Sequence, residues 1–95
     1  FFLLIEALES AGVASGLPAA TARPLAIETA RAAGLMAAQG GETPAVLREQ
    51  VTSRGGTTEA ALQVLEAAAV SDTFRSAVAA AARRSAQLAD EFGST

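Results

Sequence analysis

The sequence contains no cysteine, histidine, lysine or tyrosine, and each absence removes a class of chemistry. Without cysteine there are no disulfides, thiolate metal sites or cysteine nucleophiles. Without histidine the chain lacks the commonest metal ligand and general base, so we expect no metal site. Without lysine it can form neither a Schiff base nor a lysine-bearing phosphate loop. The remaining side chains and the backbone amides are suited to binding and orienting a substrate rather than to catalysis by this segment alone.

Charge and hydropathy limit the partners. The net charge is −3, and the seven basic residues are all arginines that are scattered apart from Arg83 and Arg84. We therefore expect no nucleic-acid partner, because such a face needs clustered positive charge. No apolar run reaches the roughly 18 residues of a membrane span, and no signal-peptide pattern is present. A chain that starts at Phe1 without an initiating methionine is expected to be a fragment that lacks part of its first helix.

Abundant alanine and the lack of alternating strand patterns predict an all-α fold of five helical segments. The first is expected over residues 1–14, ended by Gly16, and the second from Pro18 to residue 39, ended by two glycines. Pro24 predicts either a kink or a helix restart. The third starts with Thr43 as N-cap and Pro44 as first residue, and ends by residue 53.

The fourth helix is predicted from residues 56–57 to about residue 69, and the fifth from a cap at Ser71 or Asp72 to Phe92, with a frayed end over residues 93–95. Apolar residues on the fifth helix recur at spacings of four and three, so they share one face that we interpret as core or dimer interface. These residues are Phe74, Val78, Ala81, Ser85, Leu88 and Phe92. Large apolar side chains are nevertheless few for five helices. Alanine-lined faces must pack closely or recruit a second chain, which indicates an obligate oligomer.

One segment, residues 51–58, differs from the alanine-rich remainder. Its sequence, Val-Thr-Ser-Arg-Gly-Gly-Thr-Thr, places hydroxyls and glycines at the start of a predicted helix. Backbone amides there have no intrahelical partner, and the helix dipole adds partial positive charge. Glycine allows a ligand to approach the backbone closely. The segment therefore predicts a small-anion site, although Ser53 and Thr57 could instead be helix caps and Gly55-Gly56 a simple turn.

The residues around this segment resemble the pyrroline-5-carboxylate reductase family. The pattern is Pro44-x-x-Leu47-x-x-x-Val51-Thr52-Ser53-x-Gly55-Gly56-Thr57-Thr58-x-x-x-Leu62-x-x-Leu65-Glu66, and the flanking helices agree with it. The resemblance covers essentially residues 1–95 and implies the C-terminal helical domain of that enzyme, as an alanine-rich five-helix bundle interlocked with a second subunit. The family often has proline where this chain has Arg54, which we interpret as a solvated loop charge.

The resemblance implies a cytoplasmic enzyme that reduces 1-pyrroline-5-carboxylate to L-proline with NADPH or NADH. It also implies a homodimer that can assemble further, for example into a decamer. No Gly-x-Gly-x-x-Gly fingerprint occurs in the sequence, so we expect the nucleotide-binding domain to be absent and this fragment alone to be inactive, with no cofactor-binding residues of its own.

By the same resemblance, substrate binding is assigned to Ser53, Gly55, Gly56, Thr57 and Thr58. The amides of Gly56, Thr57 and Thr58 and the Ser53 hydroxyl would hold the substrate carboxylate. The Thr58 hydroxyl would lie near the ring nitrogen and serve as the catalytic group. The alternative hypothesis is a stand-alone helical oligomerisation module without catalysis.

Overall fold

A computed structural model describes residues 1–93 of the 95-residue chain. Five helices and no strand are found over these residues, which confirms the all-α prediction. The helices are α1 (Phe2–Ala14), α2 (Ala19–Gln39), α3 (Pro44–Gln50), α4 (Thr57–Ala67) and α5 (Val70–Gly93). The chain divides into two compact units, one over Phe1–Glu49 and the other from Gln50 onward. Across residues 1–93, no helix combines the length and the apolar character that a membrane crossing requires.

The first unit is organised by the packing of α1 against α2. The two helices approach closely because Gly12 has no side chain: a Cβ atom there would lie 3.3 Å from the Ala22 Cβ. Ala22 and Ala26 are the buried hydrophobic residues found in the described chain, at 2% and 5% exposure. At one edge of this contact, the Arg23 guanidinium donates to the Glu9 carboxylate at 3.0 Å. Small residues therefore make a thin core that leaves the larger apolar side chains outside.

The end of α1 confirms the predicted role of Gly16. Gly16 has a φ of +109°, and its N–H donates to the Val13 carbonyl, while the Leu17 N–H returns to the Gly12 carbonyl. These two bonds form a Schellman motif, in which a left-handed residue after the C-cap satisfies the last free carbonyls of the helix. The chain then reverses within Leu17 and Pro18, and this tight turn brings α2 back against α1.

Helix α2 continues through Pro24, so the predicted alternative of a restart at this residue does not occur. Proline lacks an amide hydrogen, so only the bond that would reach the Ala20 carbonyl is lost, within the first two turns. The structure places Pro18 as N-cap of α2, one residue outside the helix. At α3 the predicted cap is confirmed, because the Val46 N–H donates to the Thr43 hydroxyl oxygen at 3.3 Å.

In the second unit, α4 packs against α5, and a two-residue connection joins the two helices. The prediction that Ser71 or Asp72 caps α5 is wrong: the helix begins at Val70, and the Thr73 N–H donates to the Ala69 carbonyl. The physical reason is that Ala69 adopts a left-handed conformation, φ +55°, which ends α4 and starts α5 at once. No polar cap is required for this reversal. Of the predicted frayed end, Gly93 belongs to α5, whereas residues 94 and 95 lie outside the described part of the chain.

Large apolar side chains are widely exposed along the described chain. On α5 the predicted stripe is uncovered, with Phe74 58%, Val78 68% and Phe92 80% exposed. On α1, Leu4 and Leu8 are 45% and 42% exposed. The α5 stripe is therefore not buried by the other helix of its own unit, α4, and its role as an interface stays a prediction. Apolar faces of this extent are typical of surfaces that another chain covers.

Candidate functional site: the turn before helix α4

The predicted anion site lies in the turn that joins α3 to α4. The Gly56 N–H donates to the Ser53 carbonyl oxygen at 2.9 Å, which closes a four-residue turn over residues 53–56. Gly55 occupies the third position with a φ of +75°, the conformation that makes glycine preferred in a type II turn. Arg54 stands at the second position, where proline is common but other residues also fit. The turn therefore forms with arginine at the position where the family often has proline.

Gly56 then becomes the N-cap of α4 in an extended conformation, with φ −88° and ψ −178°. No side chain makes a capping hydrogen bond there. Thr57 is the first helical residue of α4. The alternative interpretation of Ser53 and Thr57 as helix caps therefore does not hold for this helix, because neither side chain caps it. The Ala60 N–H closes the first helical turn onto the Gly56 carbonyl at 3.2 Å. The amides of Thr57 and Thr58 precede this bond and are the donors that a helix start leaves without intrahelical partners.

The predicted site residues differ in exposure. Ser53, Gly55 and Thr57 are exposed, whereas Gly56 and Thr58 are half-buried. Thr58 is therefore the more buried of the two threonines at this helix start. The structure brings all five residues into one turn and the first helical turn that follows it, as the sequence predicted. The Gly56 amide, however, already donates to the Ser53 carbonyl, whereas no hydrogen bond from the Thr57 or Thr58 amide is found in the described part of the chain.

Two charged residues border the site. Arg54 is exposed and takes part in none of the ion pairs found over residues 1–93, which agrees with its interpretation as a solvated charge. Glu59 was not assigned a role from the sequence. Its carboxylate oxygen Oε2 accepts a hydrogen bond from the Gly55 N–H at 3.3 Å. A glutamate three residues after the N-cap is the spacing of a capping box, and this spacing could have identified it.

The turn offers hydrogen-bond donors of the kind that suit a small anion. Helix-start amides and hydroxyls are donors to a carboxylate, and a close approach to the backbone is possible at Gly55, where a Cβ would meet nothing within 4 Å. Within the described residues, no group of three or more acidic side chains is arranged to hold a metal ion.

Five helices with uncovered apolar faces define an all-α association domain, in which residues 53–58 form a glycine-rich turn at a helix start. A model of the family described as pyrroline-5-carboxylate reductase dimerisation matches residues 1–88. The chain belongs to this family.

Similar proteins agree with this assignment. The chain is 47% identical over 87 residues to pyrroline-5-carboxylate reductase of Arabidopsis thaliana, covering 92% of this chain and 32% of that protein. It is 43% identical to the Pseudomonas aeruginosa pyrroline-5-carboxylate reductase, covering 98% and 34%. A crystal structure of Plasmodium falciparum pyrroline carboxylate reductase with NADP bound is 31% identical, with a TM-score of 0.85 over 88% of this chain and 34% of the other. The chain thus spans about a third of the length of these relatives.

Proposed function

We propose that residues 1–95 form the C-terminal dimerisation and substrate-binding domain of a reductase that converts 1-pyrroline-5-carboxylate to L-proline. The observation that carries the proposal is the turn at residues 53–58, in which a glycine-rich bend presents uncapped helix-start amides beside the Thr58 hydroxyl. The family match over residues 1–88 includes this turn. The cytoplasmic location implied by the resemblance stays a prediction.

In this proposal the substrate carboxylate binds at the start of α4. The amides of Thr57 and Thr58 donate to it, the Ser53 hydroxyl adds a third donor, and the positive end of the helix dipole favours the negative charge. Gly55 and Gly56 contribute the bend and the access to the backbone. We no longer assign the Gly56 amide to the substrate, because it donates to the Ser53 carbonyl in this structure.

The Thr58 hydroxyl is the group that we place near the imine nitrogen of the substrate ring. Thr58 is half-buried and belongs to the same first turn of α4 as the carboxylate donors, which supports contact of both with one bound ring. A hydroxyl there can hydrogen-bond to the nitrogen as hydride arrives at the adjacent carbon. Its contribution is orientation and proton placement, which typically change a rate by about 100-fold to 10,000-fold.

NADPH or NADH supplies the hydride when it is bound. The Plasmodium relative is described with NADP bound, whereas the glycine fingerprint of a dinucleotide site does not occur in these 95 residues. We therefore propose that another part of the full-length enzyme binds the nucleotide. The residues of this chain hold the substrate ring against the nicotinamide and do not contact the phosphates.

We propose a homodimer in which the helices of two subunits interlock, with further assembly, such as a decamer, built from such dimers. The exposed apolar faces support association with another chain. The α5 stripe and the apolar residues of α1 are the surfaces that a second copy would cover, since Phe2 on α1 is 91% exposed and Phe92 on α5 is 80% exposed. Covering them removes apolar area from water at about 25 cal/mol per Å².

The test uses the full-length enzyme that contains this chain. Thr58→Ala is expected to lower kcat for 1-pyrroline-5-carboxylate by about 100-fold, because the hydroxyl is lost while the helix-start amides stay. Size-exclusion chromatography with light scattering is expected to show unchanged assembly. The matched control is Thr29→Ala, which removes an exposed hydroxyl that bonds only to the Leu25 carbonyl of its own helix. Normal kinetics in Thr58→Ala would show that the assigned role is wrong.

A further inference from the structure

We propose that Glu59 is a positioning residue that holds the substrate turn open for its ligand by hydrogen-bonding to the Gly55 amide. This inference rests on the proposed function, because it concerns the same turn. Glu59 is the third residue of α4 and is half-buried, and its Oε2 lies 3.3 Å from the Gly55 nitrogen. It is the one acidic side chain in the first turn of α4.

The bond reaches one residue beyond the usual target. In a capping box, a glutamate at this helical position accepts from the amide of the N-cap residue. Here the N-cap amide of Gly56 already donates to the Ser53 carbonyl at 2.9 Å. The Glu59 carboxylate therefore takes the preceding amide, Gly55. The Gly56 amide is thus bonded within the turn, and the Gly55 amide is bonded to a side chain of α4.

This arrangement fixes the residue that has the most conformational freedom in the turn. Gly55 adopts φ +75°, and a glycine at this position can also sample negative φ values at little cost. A bond from its amide to a carboxylate that is anchored on α4 disfavours that alternative. The same carboxylate leaves the amides of Thr57 and Thr58 free to donate to a ligand. Glu59 thus shapes the binding turn without occupying it.

The charge of Glu59 and its hydrogen bond are expected to have opposite effects on substrate binding, and this makes the proposal testable. The negative charge of Glu59 would repel a substrate carboxylate at the same helix start, whereas its acceptor oxygen orders the turn. Glu59→Gln keeps an acceptor and removes the charge, whereas Glu59→Ala removes both. If the hydrogen bond matters more than the charge, Glu59→Ala must weaken substrate binding, and Glu59→Gln must retain it.

The experiment compares wild type, Glu59→Ala and Glu59→Gln in the full-length enzyme, with Glu66→Ala as control for removing an exposed carboxylate from the same helix. Glu59→Ala is expected to raise KM for 1-pyrroline-5-carboxylate about tenfold with kcat nearly unchanged, the size of effect that one lost charge-assisted hydrogen bond produces. Glu59→Gln is expected to keep KM at or below the wild-type value. Equal losses in the two variants, or a lower KM in Glu59→Ala, would overturn the proposal.

Hydrogen exchange provides a readout that does not depend on catalysis. In the same variants, exchange at the Gly55 amide is expected to accelerate about tenfold in Glu59→Ala and to stay near wild type in Glu59→Gln and Glu66→Ala. Unchanged exchange in Glu59→Ala would contradict the positioning role even if KM rises. An enzyme that does not reduce 1-pyrroline-5-carboxylate would refute the proposed function, while the exchange result would still decide whether Glu59 holds the turn.

Discussion

The two adjacent glycines of the turn at residues 53–58 are predicted to respond differently to the same substitution. At Gly56 the backbone conformation suits any residue, since φ is −88°, but space is lacking. An alanine Cβ there would lie 3.1 Å from the Ser53 carbonyl oxygen and 3.2 Å from the Ser53 Cβ. That oxygen also accepts the Gly56 N–H at 2.9 Å, so it cannot retreat without stretching the bond that closes the turn.

Gly56→Ala must therefore displace the turn by a few tenths of an ångström. Because a misplacement of about 1 Å can cost about 100-fold in rate, a shift of this smaller size is expected to lower kcat/KM about tenfold. At Gly55 the situation is reversed, because φ is +75° and a Cβ would meet nothing within 4 Å. Gly55→Ala strains the backbone without a clash and is expected to cost about 1 kcal/mol of stability.

The assay measures steady-state kinetics and thermal unfolding of both variants in the full-length enzyme. Gly56→Ala is expected to show the larger kinetic defect, and Gly55→Ala the larger loss of thermal stability. If Gly56→Ala has wild-type kcat/KM, the steric account of the turn is wrong. A Gly55→Ala variant of unchanged stability would refute the assignment of a left-handed conformation to that residue.

Three further predictions follow from other parts of the chain. Phe74→Asp is expected to dissociate the proposed dimer, because Phe74 is 58% exposed on the α5 stripe. Losing about 100 Å² of covered apolar area costs about 2.5 kcal/mol per copy. Analytical ultracentrifugation measures the dissociation, and an unaltered dimer would exclude the stripe from the interface. Ala69→Gly is expected to stabilise the protein by about 0.5–1 kcal/mol, since it relieves a left-handed alanine at φ +55°; a lower unfolding midpoint in denaturant would contradict this. The hydrogen bond and charge of Arg31 lower the pKa of the exposed Glu28 carboxyl. The small stabilisation from this pair is therefore present above the pKa of Glu28 in the unfolded chain and is lost as the pH falls through the depressed pKa of the folded state. The difference in unfolding midpoint between wild type and Glu28→Gln should then vanish in acid, and a difference that grows in acid would contradict this sign.

Most helix bounds could be predicted because short-range chemistry determines them. Gly16 ends α1 with a left-handed φ, and Thr43 caps α3 through its hydroxyl, as the sequence indicated. The start of α5 was mispredicted for an instructive reason: Ser71 and Asp72 are good capping residues, but the reversal uses Ala69 in a conformation that alanine seldom adopts. Sequence propensity does not indicate where an alanine will adopt a left-handed backbone conformation.

The location of the candidate site was also predictable, since glycines and hydroxyls before a helix start are typical of a small-anion site. The internal arrangement of the turn was not. The engagement of the Gly56 amide by Ser53 and the bond from Gly55 to Glu59 depend on backbone angles that a residue pattern does not specify. The proposed identity of the anion depends on the family resemblance, because a helix start accepts any small anion of suitable shape.

The most direct test of the central proposal is product identification with the full-length enzyme. Purified protein is incubated with 1-pyrroline-5-carboxylate and NADPH, nucleotide oxidation is followed by absorbance, and the product is identified by chiral chromatography. The proposal predicts that L-proline forms in step with nucleotide oxidation, and that Thr58→Ala slows both together while binding the nucleotide normally. Nucleotide oxidation without proline, or no reaction from a correctly assembled enzyme, would contradict it.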